Sequence, residues 1–412
     1  MSVHPKAGLP LGVYVHFPFC ARKCPYCDFN TRAARQIPHD AYLDAVLNEL
    51  EGRKARFAGR RLVSIYFGGG TPGLWRPDCI GAVVRAIRST WEMFNDPADK
   101  ALSSLEVTVE INPRAAPLEL LAALIDEGVN RLSIGVQTFD PVYLEHLGRD
   151  HSVEQSGATL EAARTAGFDR ISFDLLFGGP HHTREAFERD LDRACAQTEA
   201  DHISAYSLIV EPGTPFARMK ARGRLHATDE DEAAEMLYRC ETRLGQAGFN
   251  HYEVANYTRP GRWARHNSLY WVGAEYMGLG VGAHELAILP DGTPVRRAGA
   301  LTMADYLADP VGSAQDEEHL DNQTHLAERL FLGLRTRFGV SLNELRRQFG
   351  SPAVDVMVPR LERLREQGWV EVVDGKVWGE TMVPTYLQAE GPWWVPTAAG
   401  MHFADRIALE FL

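Results

Sequence analysis

Short apolar segments alternate along the first half of the chain with longer segments in which apolar residues recur at helical spacing. The apolar segments are rich in Val, Ile, Leu and Phe, a composition typical of strands that are buried on both faces. They predict six strands, at residues 12–16, 62–67, 105–110, 131–136, 171–177 and 202–209. The segments between and after them predict six helices, at residues 40–57, 77–93, 117–127, 152–166, 184–198 and 230–247.

The ends of these helices share a chemical signature. Gly128, Gly167 and Gly248 each follow a predicted helix and precede an apolar residue that leads towards the next strand. Glycine adopts the left-handed conformation that ends a helix, so the chain repeats a strand–helix unit. About six such units predict an α/β fold with an incomplete TIM-like barrel, and a flavodoxin-like open sheet is the alternative.

Polar and glycine-rich residues follow the predicted strands. The second strand ends in Gly68-Gly-Gly-Thr-Pro72, the third in Glu110-Ile-Asn-Pro113 and the fourth at Gln137, and the fifth contains Asp174. In either parallel architecture ligands bind at the carboxyl ends of the strands, so we expect these residues to share one rim. Glycines there allow a ligand to approach the backbone closely.

Three cysteines follow the first predicted strand within eight residues, at Cys20, Cys24 and Cys27. Their thiolates can bind three irons of a [4Fe–4S] cluster and leave the fourth iron for a substrate or cofactor. A zinc site normally requires a second pair of ligands, and a reduced cytosolic compartment disfavours a disulfide. The remaining cysteines stand alone among apolar residues and are predicted to be core thiols: Cys79, Cys195 and Cys240.

The last third of the chain has a different pattern. We predict one large α/β domain over residues 1–290, which contains the strand–helix units and the cysteine loop, a polar linker over 291–316 and a small winged-helix-like domain over 317–412. In that domain we predict helices at 325–336, 342–349 and 353–367, strands at 368–373 and 376–378, and a final helix at 397–411. Pro359 is expected to kink the third helix or to shift its start. Interleaved Arg and Glu residues predict a solvated face, with a DNA-binding regulator as the alternative.

Composition narrows the class of protein. The chain has 412 residues and a formal net charge of −12, which disfavours a general nucleic-acid binder. A chain of this length is expected to form more than one domain. The sequence contains neither an apolar run long enough for a transmembrane helix nor a secretory signal, so we predict a cytoplasmic protein with at most peripheral membrane contact. Whether it is a monomer or a dimer stays open.

Several motifs together resemble the radical S-adenosylmethionine (SAM) superfamily. Over nearly the whole chain the resemblance is to the branch that contains oxygen-independent coproporphyrinogen III dehydrogenases (oxidases) and the HemW haem chaperones. The stretches that carry it include Tyr14-Val-His-Phe-Pro-Phe-Cys20, Cys24-Pro-Tyr-Cys27, Phe67-Gly-Gly-Gly-Thr-Pro72, Leu147-Gly-Arg149 and Asp174-Leu-Leu-Phe-Gly-Gly-Pro180.

The resemblance implies specific cofactors and residues. Cys20, Cys24 and Cys27 would bind a [4Fe–4S] cluster whose fourth iron SAM chelates. Gly69, Gly70 and Thr71 would contact the amino acid end of SAM, and four polar residues would contact its sugar and carboxylate groups: Glu110, Gln137, Arg149 and Asp174. Tyr14 and Tyr26 would lie near the cluster and the adenine.

Two features decide between the members of this branch. The dehydrogenase has a further cysteine two residues after the third ligand, where this chain has Phe29. The motif His266-Asn-Ser-Leu-Tyr-Trp271 is similar to HemW, and it makes His266 a candidate haem contact, although a histidine in this position alone reads as a hydrogen-bonded loop residue. The resemblance implies haem binding and delivery to respiratory haem proteins. The alternatives are the coproporphyrinogen dehydrogenase reaction, which is not expected, or another radical SAM reaction such as methyl transfer.

Overall fold

The computed structural model describes residues 8–94, 104–197, 199–225, 228–374 and 392–411. Its strands are β1 (Pro10–Phe17), β2 (Phe19–Cys20), β3 (Arg32–Ala33), β4 (Arg61–Gly69), β5 (Glu106–Ile111), β6 (Arg131–Gln137), β7 (Arg170–Phe177), β8 (His202–Ser207), β9 (Asn250–Glu253), β10 (Asn256–Thr258), β11 (Glu275–Leu279), β12 (His284–Ile288), β13 (Pro294–Ala298), β14 (Glu318–His319), β15 (Val340–Ser341), β16 (Val370–Asp374) and β17 (Pro392–Pro396). The strand that we predict at 376–378 lies outside the described residues.

Helices alternate with strands along the first half of the chain. They are α1 (His39–Arg53), α2 (Pro77–Thr90), α3 (Leu118–Asp126), α4 (Pro141–His146), α5 (Val153–Ala166), α6 (Arg184–Ala196), α7 (Pro215–Ala221), α8 (Glu230–Gln246), α9 (Arg265–Trp271), α10 (Met303–Ala308), α11 (Asn322–Gly333), α12 (Leu342–Phe349), α13 (Ser351–Asp355), α14 (Val358–Glu366), α15 (Ala398–His402) and α16 (Ala404–Leu409). All six predicted strands and all six predicted helices of the barrel are present.

The large sheet has the strand order that a barrel requires. Strands β1, β4, β5, β6, β7 and β8 are parallel neighbours in chain order. Crossovers between parallel strands are right-handed as a rule, and in this strand order they place the connecting helices on one face of the sheet. The flavodoxin-like alternative is wrong, because such a sheet reverses its strand order at a switch point.

The sheet extends beyond the six predicted units. Strand β11 pairs in parallel with β1, and β12, β13 and β14 continue from it as antiparallel strands. At the other edge β10 and β9 pair antiparallel beside β8. Within the described residues no pairing joins these two edges, so the barrel is partial. The predicted linker segment 291–316 holds β13 and α10, and the division into domains at this segment stays a prediction.

The two faces of the parallel strands differ in chemistry. In-register neighbours on the outer face are apolar, as at Ile65 and Val107, and they are buried under the helices. On the inner face Glu110 lies in register with Ser133, and Asp174 with Ser204. The strands are buried on both faces as predicted, but the inner face is polar.

Local signals account for several element boundaries. Ser152 and Gln155 form a reciprocal capping box at the start of α5, and Gly167 ends that helix with a φ of 107°. Pro359 lies in the first turn of α14, so it shifts the start of that helix and does not kink one longer helix.

The C-terminal part of the chain has its own core. Helices α11 to α14 and the three-stranded sheet β15-β17-β16 bury an apolar cluster that includes Leu330, Leu361, Trp394 and Ile407. This arrangement confirms the predicted small helical domain with a β-wing. In the part of the chain that the structure describes, none of the helices has the length and apolar character needed to span a bilayer.

Candidate functional site

A cavity of about 510 Å³ opens inside the barrel at the carboxyl ends of the parallel strands. Side chains from β4, β5, β6, β7 and β8 line it together with the cysteine loop. All but two of the predicted site residues lie in its lining: Cys20, Cys24, Tyr26, Cys27, Gly69, Gly70, Thr71, Glu110, Gln137, Arg149 and Asp174. Their placement at the carboxyl ends of the parallel strands therefore brings together residues that are up to 154 positions apart in the sequence.

The cysteine loop is closed at its base by backbone pairing. Strands β2 and β3 are parallel, with Cys20 in register with Ala33. Lys23 Nζ donates to the carbonyl oxygens of Phe29, at 3.0 Å, and Thr31, at 3.1 Å. Burial raises the pKa of Cys20 and of Cys27 above the usual thiol range, so positive charge in the cavity is needed to favour their thiolates.

The glycine loop after β4 is joined directly to the cysteine segment. Gly70 N donates to Phe17 O at 2.7 Å, and Thr71 N donates to Phe19 O at 2.9 Å. A Cβ atom on Gly70 would lie 2.6 Å from the carbonyl oxygen of Phe19, which is too close for any other residue. The sequence Gly-Gly-Gly-Thr therefore allows the two loops to approach each other at the cavity wall.

Two buried carboxyl groups face the cavity from β5 and β7, on either side of β6. Glu110 accepts hydrogen bonds from Tyr66 Oη at 2.8 Å and from Gly69 N at 3.1 Å. Burial raises the pKa of Glu110 to about 7 and that of Asp174 to about 6. Both carboxyl groups are poised to ionise when a cationic ligand enters.

Arg149 connects the cysteine loop to the fourth strand of the parallel set. Its Nη1 lies 3.5 Å from Cys24 Sγ, and its Nη2 donates to Gly135 O at 3.0 Å. Gln137, at the end of β6, has a φ of 72°, a strained conformation for a residue other than glycine. Strain of this kind at a strand end is typical of a functional site.

The structure places Tyr14 and His266 outside the cavity lining. The Tyr14 ring stacks on Tyr66, 6.1 Å away, and its hydroxyl is 3.1 Å from His16 Nδ1. His266 is buried on α9, with Nδ1 2.9 Å from Ser64 Oγ and Nε2 2.7 Å from Tyr270 Oη. Burial lowers the pKa of His266 to about 3. Both of its ring nitrogens are therefore engaged by side chains of the protein, and haem contact by His266 stays a prediction.

Several polar residues that line the cavity were not predicted from the sequence as site residues: Tyr66, Arg131, Ser133, Ser204 and Tyr206. Most of them occupy alternate positions of the parallel strands, on the same face as Glu110 and Asp174. Period-two spacing of polar residues within apolar strands is the signal that would have found them. This spacing was overlooked because the strands were predicted to be apolar on both faces.

The donor set fits a cluster better than a single ion. Within the described residues no three His, Cys, Asp or Glu side chains are placed to bind one metal ion. A [4Fe–4S] cluster takes one thiolate on each of three irons, so its ligands stand further apart than those of a single ion. Three cysteines on one loop beside the glycine cradle suit that requirement, and ligation by these three residues is a proposal.

Comparison with known proteins identifies the family. A model of the radical SAM superfamily matches residues 14–194, and a model of the HemN C-terminal domain matches residues 320–378. The chain is 33% identical over 366 residues to the haem chaperone HemW of Bacillus subtilis, covering 89% of this chain and 94% of that protein. This chain belongs to the HemW family. It is also 33% identical over 288 residues to HemW of Escherichia coli, which spans 70% of this chain and 73% of that protein.

A solved structure supports the fold of this HemW family member along its whole length. Coproporphyrinogen III oxidase (HemN) from Escherichia coli, a radical SAM enzyme, matches 99% of this chain and 91% of its own with a TM-score of 0.77. At 24% sequence identity this likeness concerns the fold alone. The superfamily resemblance is confirmed, and membership of the radical SAM superfamily implies a [4Fe–4S] cluster and SAM.

Proposed function

We propose that this chain is a cytoplasmic haem chaperone that binds haem beside a [4Fe–4S] cluster and SAM and delivers the haem to respiratory haem proteins. The observation that carries the proposal is the similarity over nearly the full length to proteins named as haem chaperones. The sequence at position 29 supports it, since this chain has Phe where the dehydrogenase has a cysteine.

The mouth of the barrel cavity has the chemistry that a porphyrin needs. Phe29 is 60% exposed and Ile209 is 68% exposed, and both border the cavity together with Tyr206. Arg22 and Lys23 stand exposed on the same rim. Haem is a flat apolar ring with two carboxylates, so apolar side chains beside cations match it. We assign the haem to this mouth.

The cavity below the mouth supports the assignment of the other cofactors. Cys20, Cys24 and Cys27 would hold the cluster, and the Glu110 and Asp174 carboxylates would bind the cationic and hydroxyl groups of SAM. When bound and reduced, such a cluster would supply the electron for reductive cleavage of a carbon–sulfur bond of SAM. The barrel walls surround this space, and Arg149 joins Cys24 of the cysteine loop to Gly135 of β6.

A haem titration paired with an activity assay tests the proposed function. The reconstituted protein is expected to bind haem and not to convert coproporphyrinogen III to protoporphyrinogen IX. Phe29→Asp should weaken haem binding at least about tenfold, because an apolar ring contact is worth roughly 1.5–3 kcal/mol. Absorption spectroscopy measures the first result and product analysis the second.

The control for the mouth is Val356→Asp, since Val356 is 68% exposed in the C-terminal unit, away from the cavity lining. Equal haem affinity of the two variants would refute the placement at the mouth, and turnover of coproporphyrinogen would refute the chaperone assignment. The candidate role of His266 is tested in the same titration. An unchanged haem spectrum and affinity for His266→Gln is expected from its buried hydrogen bonds.

The raised pKa values of the two cavity carboxyls predict how SAM binding depends on pH. Below pH 6 both groups are mostly protonated and attract the positively charged sulfonium of SAM weakly. SAM affinity is therefore expected to rise on the order of tenfold between pH 5.5 and pH 8. Equilibrium dialysis with reconstituted protein measures it.

Glu110→Gln should flatten the part of this rise above pH 7, because the remaining carboxyl of Asp174, with a pKa of about 6, is mostly ionised by then. Glu161→Gln, on the exposed face of α5, is the matched control and should keep the full rise. A pH profile of Glu110→Gln that equals the wild-type profile would show that Glu110 does not contact the SAM cation.

A further inference from the structure

A second cavity lies at the opposite end of the barrel from the cysteines. It has a volume of about 180 Å³ and opens between the start of β1, the segment from Trp271 to Glu275, and the C-terminal unit. Trp271 ends the motif that begins at His266, and Trp393 of β17 also lines the cavity. The cavity therefore joins the floor of the barrel to α11, α12 and the small sheet.

Arg329 of α11 presents an unsatisfied cation to this cavity. Its Nε–H is buried and has no hydrogen-bond acceptor among the residues that the structure describes. A Cβ atom on Gly273 would lie 2.5 Å from Arg329 Nη1, so the guanidinium is packed closely against the backbone of Gly273. Burial lowers the pKa of Arg329 to about 10, the direction expected where the positive charge is incompletely compensated.

The carboxylates near the cavity have other partners. Glu275 receives hydrogen bonds from Arg60 Nε at 2.7 Å and Arg60 Nη2 at 2.9 Å. The negative charge of Glu344 raises the pKa of Arg329, but the Glu344 carboxylate also forms an ion pair with Arg347 at 2.6 Å. Because each of these carboxylates pairs with another arginine, the positive charge of Arg329 is incompletely compensated at the cavity.

We propose that this cavity binds a small organic carboxylate with a planar apolar body, with its carboxylate on Arg329 and its body between the tryptophans. A guanidinium binds a carboxylate through two parallel hydrogen bonds, which would satisfy the orphan Nε–H. The indoles of Trp271 and Trp393 supply apolar surface for the rest of the ligand. The volume is below the roughly 300–1,000 Å³ of sites for drug-sized molecules, so the ligand is small.

Fluorine NMR of two matched probes tests the site on the full-length reconstituted protein. 4-Fluorobenzoate is expected to show saturable line broadening, and the neutral 4-fluorobenzamide is expected to show at least tenfold weaker binding. Gln348 lines the cavity with an exposed side chain, so Gln348→Glu adds negative charge without disturbing the core. This variant should weaken 4-fluorobenzoate binding at least fivefold, and Arg329→Gln should abolish it.

Gln367→Glu is the control, because Gln367 is an exposed glutamine of the same unit that does not line the cavity. It should bind 4-fluorobenzoate as the wild type does. Equal binding of the two probes, equal binding by the two glutamine variants, or displacement of 4-fluorobenzoate by inorganic phosphate at the same concentration would each overturn the proposal. None of these readouts depends on haem or SAM, so the proposal stands or fails separately from the chaperone function.

Discussion

Replacement of Cys24 by alanine is expected to reduce the iron content of the reconstituted protein from about four atoms per chain to near zero. A cluster held by three thiolates loses one ligand of three, and the loop between β2 and β3 offers no substitute cysteine. The variant also frees Arg149, whose Nη1 lies 3.5 Å from Cys24 Sγ. Iron and sulfide analysis with visible absorption after anaerobic reconstitution measures the loss.

Cys195→Ala is the matched control for this experiment. Cys195 lies on α6, outside the cavity lining, and its thiol is 3.7 Å from the carbonyl oxygen of Arg243. It should retain the full iron content. If Cys24→Ala kept its cluster while Cys195→Ala lost it, the assignment of the ligands to the cysteine loop would be wrong.

Replacement of Glu106 by alanine is expected to lower the free energy of unfolding by about 3–5 kcal/mol. Glu106 is fully buried at the floor of the barrel, where its carboxylate pairs with Arg170 at 3.0 Å and accepts hydrogen bonds from the backbone of Arg265 and His266. Removal of this carboxylate leaves buried arginine charge uncompensated, including that of Arg131. Denaturant titration of the full chain measures the change.

The comparison variant for Glu106 is Glu161→Ala, a mid-helix substitution on the exposed face of α5. Its unfolding free energy should stay within about 0.5 kcal/mol of the wild-type value. A loss below about 1 kcal/mol for Glu106→Ala would show that the carboxylate does not organise the barrel floor.

Local signals made the first half of the fold predictable. The capping box at Ser152 and the helix-ending Gly167 act through neighbouring residues, so they can be read without knowledge of the tertiary structure. Strand β11 was missed because its segment is rich in glycine and because its partner β1 is more than 250 residues away in the sequence. Strand β13 lies in the predicted linker and pairs with β12. It was missed because the polar composition of this segment was interpreted as that of a linker.

The candidate site shows the same division. Cys20, Gly70 and Asp174 were predictable because cluster ligands, glycine loops and strand-end carboxylates carry their chemistry in the residue type. Tyr66 and Ser204 were missed because only their position on the inner face of the barrel gives them access to the cavity. His266 was predicted as a haem contact, and its hydrogen bonds to Ser64 and Tyr270 depend on where α9 packs.

The sequence by itself determined the order of the strand–helix units, the cysteine loop and the superfamily, because each depends on residue type and short spacing. The tertiary structure alone decided which face of each strand meets the cavity, and it placed Arg329 against Gly273 between the barrel and the C-terminal unit. Those arrangements arise from packing between distant segments, and packing depends on three-dimensional proximity that local patterns do not encode. The cysteine loop can be recognised from the sequence alone, whereas the shape of the cavity around it depends on the folded chain.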